Sequence, residues 1–223
     1  MKILEEAALV LQENNMKKNL LNNFENLFSK YKKEQDSLFL RMNDFELFKA
    51  NFIERTYYTI QLVIKALEVT LEAPHLAKMI LDNLKEESGF GFKGSHFDLL
   101  IKCFGKGNEN LITKETKAFV DMRKKLFKSN NKNEVIGNFL ASERAANGML
   151  LNIKNTFKDN FTDMLYFDVH LDGTEERHFS DGWNLTELVD NEEEMLLSAK
   201  NLFDVQLDFF RALTKNSFMG LGA

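Results

Sequence analysis

The sequence predicts an all-α fold, a bundle of roughly seven or eight helices. Three observations predict it: the 223 residues contain one proline, apolar residues recur three and four positions apart over long stretches, and no segment shows convincing strand alternation. Because no repeat or low-complexity linker divides the chain, we expect residues 1–223 to form a single helical domain.

Two long helices are predicted first. Residues 4–31 have the apolar spacing of an amphipathic helix, whereas residues 44–73 carry apolar side chains nearly all round, which is typical of a central helix in a bundle. Pro74 ends that second helix or opens the next one, over residues 74–87.

Glycines then interrupt the helical pattern. Five of the eleven glycines lie between Gly89 and Gly107, around a short predicted helix over residues 95–104. The last predicted helix begins with Thr186 as its N-terminal cap and has acidic residues in its first turn. The later predicted helices cover residues 110–128, 133–157, 160–183 and 185–215.

Charge and hydropathy exclude several classes of partner. The net charge of −5 and the lack of a clustered basic surface predict no nucleic-acid binding. No run approaches the ~20 uncharged apolar residues of a membrane span. The first twelve residues, "MKILEEAALVLQ", have acids where a signal peptide needs an apolar run. We therefore expect a cytoplasmic protein that does not contact membranes.

The cysteine content limits the redox and metal chemistry. The only cysteine, Cys103, excludes an internal disulfide and a metal cage built from cysteines. Its neighbours in "DLLIKCFG" indicate a buried small residue rather than a nucleophile.

The segment "HLDGTEERH" contains two of the four histidines, His170 and His178. On a helix, Glu175 lies about 140° and His178 about 80° around from His170, so the three share one broad face. Glu175 and His178 form the Glu-x-x-His pair of carboxylate-bridged di-iron bundles. The alternative is a helix end with surface acids and two ordinary histidines, although the apolar residues before His170 favour the core.

Two further segments supply candidate ligands. Glu143 has small neighbours in "NFLASERAANGMLL", which leave room for an ion; the alternative is a surface glutamate paired with Arg144. In "KEESGFGFKGSH", Glu87 ends one helix and His96 begins the next, across a turn whose glycines permit positive φ angles. There the alternative is a plain glycine C-cap followed by a Ser95 N-cap.

Together the three segments supply three carboxylates and three imidazoles, about the number that two metal ions need. Carboxylate and imidazole donors without thiolate suit iron or manganese better than structural zinc. Glu54, in an otherwise apolar segment, is either a further ligand or an ion-pair partner of Arg55, and we favour the ion pair. The six candidate ligands are Glu87, His96, Glu143, His170, Glu175 and His178.

The order Glu-x-Gly-x-Gly…His, a mid-chain helical Glu and His…acid-x-x-His resembles the haem-oxygenase-like di-iron oxidases and oxygenases. These are the iron-containing relatives of the thiaminase-like and pyrroloquinoline-quinone-synthesis proteins. The resemblance covers about residues 45–215, and its specificity lies in the three motif regions. It implies a haem-oxygenase-like bundle of seven to eight helices.

One spacing departs from the family pattern. The family places its last ligands as His-x-x-x-Asp-x-x-His, whereas this sequence has one extra residue between His170 and Glu175. We expect a π-bulge near Asp172 and Gly173 to absorb it. Asp172 is the reserve ligand if the register differs, and Glu86 is the reserve for Glu87.

The resemblance implies an enzyme with two iron ions per chain, or manganese in their place, and dioxygen as co-substrate. Its other partner would be a small organic molecule, and a homodimer is compatible with the fold. Four aromatic residues are candidates for the substrate pocket, although we favour the core for them: Phe90, Phe92, Tyr166 and Phe167. Tyr57 and Tyr58 are candidates for positions near the metals.

Three other functions compete with this interpretation. A helical interaction protein of the same fold would carry these acids and histidines incidentally. A metal-free, thiaminase-like hydrolase needs a cysteine nucleophile, for which Cys103 is poorly placed. A haem-degrading enzyme is disfavoured because its proximal histidine belongs near the N-terminus, and the first histidine here is His75.

Overall fold

The computed structural model describes residues 2–90 and 94–215, with side chains from residue 17 to residue 214. Within these residues the secondary structure is helical and contains no strand, which confirms the predicted all-α class. Ten α-helices follow one another: α1 Lys2–Phe39, α2 Phe45–Thr56, α3 Thr59–Val69, α4 Pro74–Ser88, α5 His96–Phe104, α6 Lys114–Phe127, α7 Lys132–Thr156, α8 Leu165–His170, α9 Thr174–Trp183 and α10 Glu192–Lys215.

Two pairs of these helices are single helices with a break. Tyr57 and Tyr58 alone separate α2 from α3, and residues 171–173 separate α8 from α9. Counted in this way, the described residues form eight helical units, in agreement with the sequence. Short 3-10 turns at Glu109–Leu111, Lys158–Asn160 and Asn184–Leu188 complete the connections.

Helix α7 lies at the centre of the bundle and contacts α10, α9, α1 and α3. Gly137 permits its close approach to α10, because a Cβ atom there would lie 2.1 Å from the carbonyl oxygen of Met195. Phenylalanine dominates the surrounding core; the fully buried rings are Phe24, Phe48, Phe52, Phe119, Phe139, Phe167, Phe209 and Phe210. A large apolar core therefore holds the helices that carry the candidate ligands.

The turn after α4 brings together two helices that carry candidate ligands. Gly89 caps α4 with φ of +75°, and a Cβ atom there would lie 2.3 Å from the carbonyl carbon of Gly94. Ser95 then caps α5, and Asp98 completes the capping box. Glycine is thus required at residue 89 by both its backbone angle and its surroundings, as the sequence suggested.

Several predicted helix boundaries are wrong. The predicted helix over residues 44–73 breaks at Tyr57 and Tyr58, and the one over residues 160–183 divides into a 3-10 turn, α8 and α9. Thr186 does not cap the last helix: its hydroxyl donates to the Trp183 carbonyl at 2.8 Å. Asn191 serves instead, because its side-chain oxygen accepts from the Glu194 backbone N–H at 3.1 Å.

None of the helices in the described ranges combines the length and the apolar character needed to cross a bilayer.

Candidate metal centre

The six candidate ligands converge in the interior of the bundle as two adjacent groups of three. In the first group, donor atoms of Glu87, His96 and His170 all lie within 4.8 Å of one another. The second group brings together Glu143, Glu175 and His178 within the same distance. The groups adjoin, because His170 Nε2 lies 3.9 Å from Glu175 Oε1. Helices α4, α5, α7, α8 and α9 each contribute to the cluster.

In the first group, the histidine rings are tightly packed and one of them is oriented by the backbone. The ring centroids of His96 and His170 are 4.3 Å apart. His170 Nδ1 lies 2.5 Å from the Tyr166 carbonyl oxygen; because a carbonyl only accepts, Nδ1–H is the donor. The lone pair of His170 is therefore on Nε2, the atom nearest Glu175.

His96 has an unsatisfied ring nitrogen. Its Nδ1 lies 3.1 Å from Glu87 Oε1, but the contact is too poorly aligned for a hydrogen bond, and this buried atom has no hydrogen-bond partner. Burial opposes protonation of His96, yet Glu87 outweighs this effect and raises the imidazole pKa. Burial likewise acts to raise the Glu87 pKa, but the histidines lower it below its usual value. Glu87 therefore presents a carboxylate to the site.

In the second group, a neighbouring carboxylate orients His178. His178 Nε2 lies 2.9 Å from Glu86 Oε2, and its Nδ1 lies 3.7 Å from Glu143 Oε2. Hydrogen bonds from Arg177 lower the pKa of Glu86, which is therefore ionised and accepts from Nε2–H. This leaves the buried His178 Nδ1, which has no hydrogen-bond partner, facing Glu143.

Neither reserve ligand belongs to these groups. Glu86 contacts the outward side of His178, and it also forms a two-pronged ion pair with Arg177 at 2.8 and 3.0 Å. Asp172 is exposed and accepts hydrogen bonds from the backbone and hydroxyl of Thr174. The structure thus assigns Glu86 a supporting position that the sequence did not identify.

The extra residue before Glu175 is absorbed by a helix break, so the predicted π-bulge is wrong. Helix α8 ends at His170, and α9 begins at Thr174 after Gly173, whose φ is +100°. This left-handed residue redirects the chain within one turn. His170 and Glu175 consequently approach each other from two separate helices.

Burial and repulsion from neighbouring carboxylates control the charges of Glu143 and Glu175. Burial raises the pKa of both carboxyl groups; Glu87 adds to the effect at Glu143, and Glu143 and Glu87 add to it at Glu175. Burial, followed by the nearby His96, lowers the pKa of His170 to about 4, so its imidazole is neutral. Buried like charges are costly without a counter-ion, and divalent cations would offset them.

The donor set fits a pair of divalent metal ions. Three carboxylates and three imidazoles lie within reach of two positions, and the lone pairs of His170 Nε2 and His178 Nδ1 face the cluster. Oxygen and nitrogen donors of this kind suit iron and manganese. Two Glu/His clusters that could hold metal ions are thus present.

A cavity of about 270 Å³ lies beside the cluster. It is lined by five of the six residues, all except His178, and by residues around the break between α2 and α3. Tyr166 and Tyr57 line it, whereas Tyr58 does not. Phe167 is fully buried in the core, as favoured from the sequence, whereas Phe90 is 76% exposed and belongs neither to the core nor to the cavity lining. Phe92 lies outside the described residues.

Three other sequence expectations can be compared with the structure. Arg144 pairs with Glu25 at 2.8 Å rather than with Glu143, which is buried. Arg55 is buried and forms no ion pair with Glu54 or with any other described residue, so that interpretation is wrong.

Cys103 is buried, as expected, and lies outside the cavity lining. Burial, with a contribution from Asp163, raises its pKa to about 12. A thiol in this state is a poor nucleophile.

Comparisons with known proteins support the fold. No protein-family model matches this chain, and a comparison with curated proteins finds no relative. Two crystal structures of a CadD-like protein of unknown function from Nostoc punctiforme are similar to it, each at 16% sequence identity. One, at 2.00 Å resolution, has a TM-score of 0.64 over 86% of this chain and 97% of the other. The second, at 1.35 Å, has a TM-score of 0.66 over 90% and 98%. CadD-like proteins have the haem-oxygenase-like helical fold, and at this identity the similarity concerns the fold alone.

Proposed function

We propose that this protein is a non-haem di-iron oxidoreductase that uses dioxygen to oxidise a small organic substrate. The observation that carries the proposal is the pairing of two adjacent Glu/His groups beside one cavity. The haem-oxygenase-like fold of the structural neighbours supports it.

The two groups divide the ligands between two ions. Glu87, His96 and His170 would hold one ion, and Glu143, Glu175 and His178 the other. Two iron ions at these positions would supply the electrons that reduce dioxygen. Because the groups meet at His170 and Glu175, the two ions would lie close enough to act together.

The surrounding residues prepare the ligands for binding. The Tyr166 carbonyl and the Glu86 carboxylate fix the ring orientations of His170 and His178. Such partners on the outer side of a ligand raise its basicity and hold its geometry. Glu143 and Glu175 have raised pKa values without a cation, so metal binding would release protons from this pair.

The cavity gives the substrate a place beside the ligands. Apolar side chains, including Phe52, Ile60 and Leu150, share its lining with the metal-binding residues. They would exclude bulk water from the reacting groups, which strengthens electrostatic interactions inside the site. Entry would follow the break between α2 and α3, where half-exposed Tyr57 lines the cavity.

Metal content and oxygen uptake test the proposal. Purified protein reconstituted anaerobically with Fe(II) should retain about two irons per chain and consume oxygen when it is admitted. The variant His178→Ala should retain about one iron or less and lose oxygen uptake, with its helical circular dichroism unchanged.

The matched control is His75→Ala. His75 is exposed, and its ion-pair contact is with Glu187 at 3.4 Å, away from the cluster, so the variant should retain two irons. Parallel reconstitution with Mn(II) identifies the preferred metal. Absence of bound iron and manganese in the wild-type protein would contradict the proposal and favour a helical interaction protein.

A further inference from the structure

Arg55 is a buried cation that lines the cavity beside the proposed metal centre. It is 7% exposed, near the end of α2. Its guanidinium carbon lies 4.8 to 5.8 Å from the centroids of four phenylalanine rings. These rings are Phe52, Phe119, Phe209 and Phe210.

The guanidinium has no anionic partner among the residues that the structure describes. Its one hydrogen bond runs from Nη1 to the Met149 sulfur at 3.0 Å, and a thioether is a weak acceptor. Besides burial, which lowers its pKa to about 10, the groups that influence it are the phenols of Tyr31 and Tyr166. Burial raises the pKa of both phenols, so both are neutral.

A second buried arginine, Arg123, differs from Arg55 because its guanidinium donates hydrogen bonds to oxygen acceptors. Arg123 is 4% exposed and donates to Asn138 Oδ1 at 2.5 Å and to Ser142 Oγ at 2.9 Å. It does not line the cavity. Both guanidinium groups lie over the ring of Phe119, at 4.8 and 5.2 Å from its centroid, but only Arg55 lines the cavity.

An uncompensated buried charge is costly, and aromatic rings offset only part of that cost. A guanidinium presents a planar fork of N–H donors that matches a carboxylate with two parallel hydrogen bonds. A single guanidinium balances a carboxylate's single charge, and the cavity volume of about 270 Å³ suits a small molecule.

We infer that Arg55 anchors the carboxylate of a small organic acid, whose remaining atoms lie in the cavity beside the proposed metal ligands. This deepens the proposed function, on which it rests, by naming the class of substrate. The Arg55 guanidinium fixes one end of the acid where α2 lines the cavity. The rest of the molecule extends towards Glu143 and His170, which line the same cavity.

Binding of matched acids and amides tests the inference. Benzoate and hexanoate are compared with benzamide and hexanamide by calorimetry on metal-reconstituted wild-type protein. At least one acid should bind at least about tenfold more tightly than its amide, because hydrogen bonds to charged groups are strong. The variant Arg55→Met should lose this preference while retaining its metal. Arg55→Lys, which keeps the charge but not the fork, should retain only part of it.

The matched control is Arg144→Met. Arg144 also lies over an aromatic ring, 4.0 Å from the centroid of Phe28, but does not line the cavity. Its replacement should leave the preference for acids unchanged. Should Arg55→Met fail to fold, the wild-type comparison and Arg55→Lys decide the question.

Two outcomes would overturn the inference: wild-type protein that binds the acids no more tightly than the amides, or a folded Arg55→Met variant that keeps the preference. The second would mean that the acids bind the ions directly. Metal content separates this failure from that of the proposed function. Protein without metal that still prefers acids through Arg55 would refute the function alone, whereas two bound metals without the preference would refute this inference alone.

Discussion

The outward-facing contacts of His170 and His178 determine which ring nitrogen each of them presents to the cluster. Glu86 and Glu87 are adjacent in sequence, but on a helix they point about 100° apart. Glu87 joins His96 in the first group, whereas Glu86 binds the outer nitrogen of His178. The sequence could predict that a carboxylate at this point faces the cluster. It could not reveal the second carboxylate's position, because that depends on where α9 packs.

Replacing Glu86 should weaken the second metal position without unfolding the protein. In Glu86→Gln the amide is a weaker partner for His178 Nε2–H, so we expect metal affinity to fall about 10- to 100-fold. A competition titration with a coloured chelator measures this.

The comparison variant for Glu86 is Arg177→Gln. It removes the other partner of Glu86 at the surface. We expect a loss of about fivefold or less, because exposed ion pairs contribute up to ~1 kcal/mol. Equal losses in both variants would mean that Glu86 does not act through His178.

The carboxyl pair in the second group should make metal-free protein sensitive to pH. Burial raises the folded pKa values of Glu143 and Glu175, and repulsion from Glu87 at Glu143 and from Glu143 at Glu175 raises them further. Their protonated forms therefore favour folding below the usual glutamate range, and this contribution is lost as pH rises through the raised values. Glu175→Gln removes one member of the pair, so its stability should fall less between pH 5 and pH 8.

Urea denaturation of both chelator-treated proteins across that range measures the difference. It should amount to about 1.4 kcal/mol for each unit by which folding raises the Glu175 pKa. Parallel stability curves would show that the pair does not titrate as described.

Arg55 shows a limit of reasoning from neighbouring residues. Its sequence neighbour Glu54 suggested an ion pair, but adjacent helical residues do not face each other. In the structure Arg55 enters the aromatic core. Only the tertiary arrangement reveals that a charge is buried there without a carboxylate.

At the scale of helices, breaks in two helices shape the site. The break at residues 171–173 turns His170 and Glu175 towards each other, and the break at Tyr57 and Tyr58 forms part of the cavity wall. Gly173 in the sequence indicated an irregularity at the first break. Nothing in the sequence indicated the second break, because the two tyrosines continue the apolar pattern without glycine or proline.

A methyl group at residue 173 should disturb the site through backbone strain alone. An added Cβ would meet nothing within 4 Å, but the φ of +100° is unfavourable for alanine. We expect Gly173→Ala to lower the free energy of unfolding by about 1–3 kcal/mol and to weaken metal binding. Urea denaturation and metal titration provide the two measurements.

The same substitution at Gly148 should have the opposite effect. Gly148 lies within α7, where a Cβ atom would only touch the end of the Lys32 side chain at 3.8 Å. Gly148→Ala should therefore raise stability by about 0.5–1 kcal/mol. A stabilising effect at both glycines would contradict the role given to the turn at Gly173.

At the scale of the whole molecule, α7 connects the core to the candidate site. Its Gly137 contacts the backbone of α10, and its Glu143 belongs to the second ligand group. Helical periodicity predicted the all-α class well, because it depends on local spacing. The convergence of five helices on one cluster depends on long-range packing, and here the resemblance between motifs supplied what periodicity could not.

Enlarging Gly137 should disrupt this connection. A Cβ atom would lie 2.1 Å from the Met195 carbonyl oxygen and 2.9 Å from its carbon, so α7 and α10 must separate. We expect Gly137→Ala to lower the free energy of unfolding by about 1–3 kcal/mol or more. Saturating Fe(II) should stabilise the wild-type protein and the variant alike, by about 2.7 kcal/mol per site at one hundred times the dissociation constant. Unchanged stability would show that the helix contact is looser than described.

The seclusion of Cys103 makes the chain suitable for site-specific fluorescent labelling. Cys103 is the only native thiol; it is buried, and its pKa is raised to about 12. Maleimide dyes would therefore react very slowly with the native protein. A Tyr57→Cys substitution would create one reactive attachment point at the rim of the cavity, where the native side chain is 57% exposed. Emission from that single dye could then follow molecules entering and leaving the protein in real time.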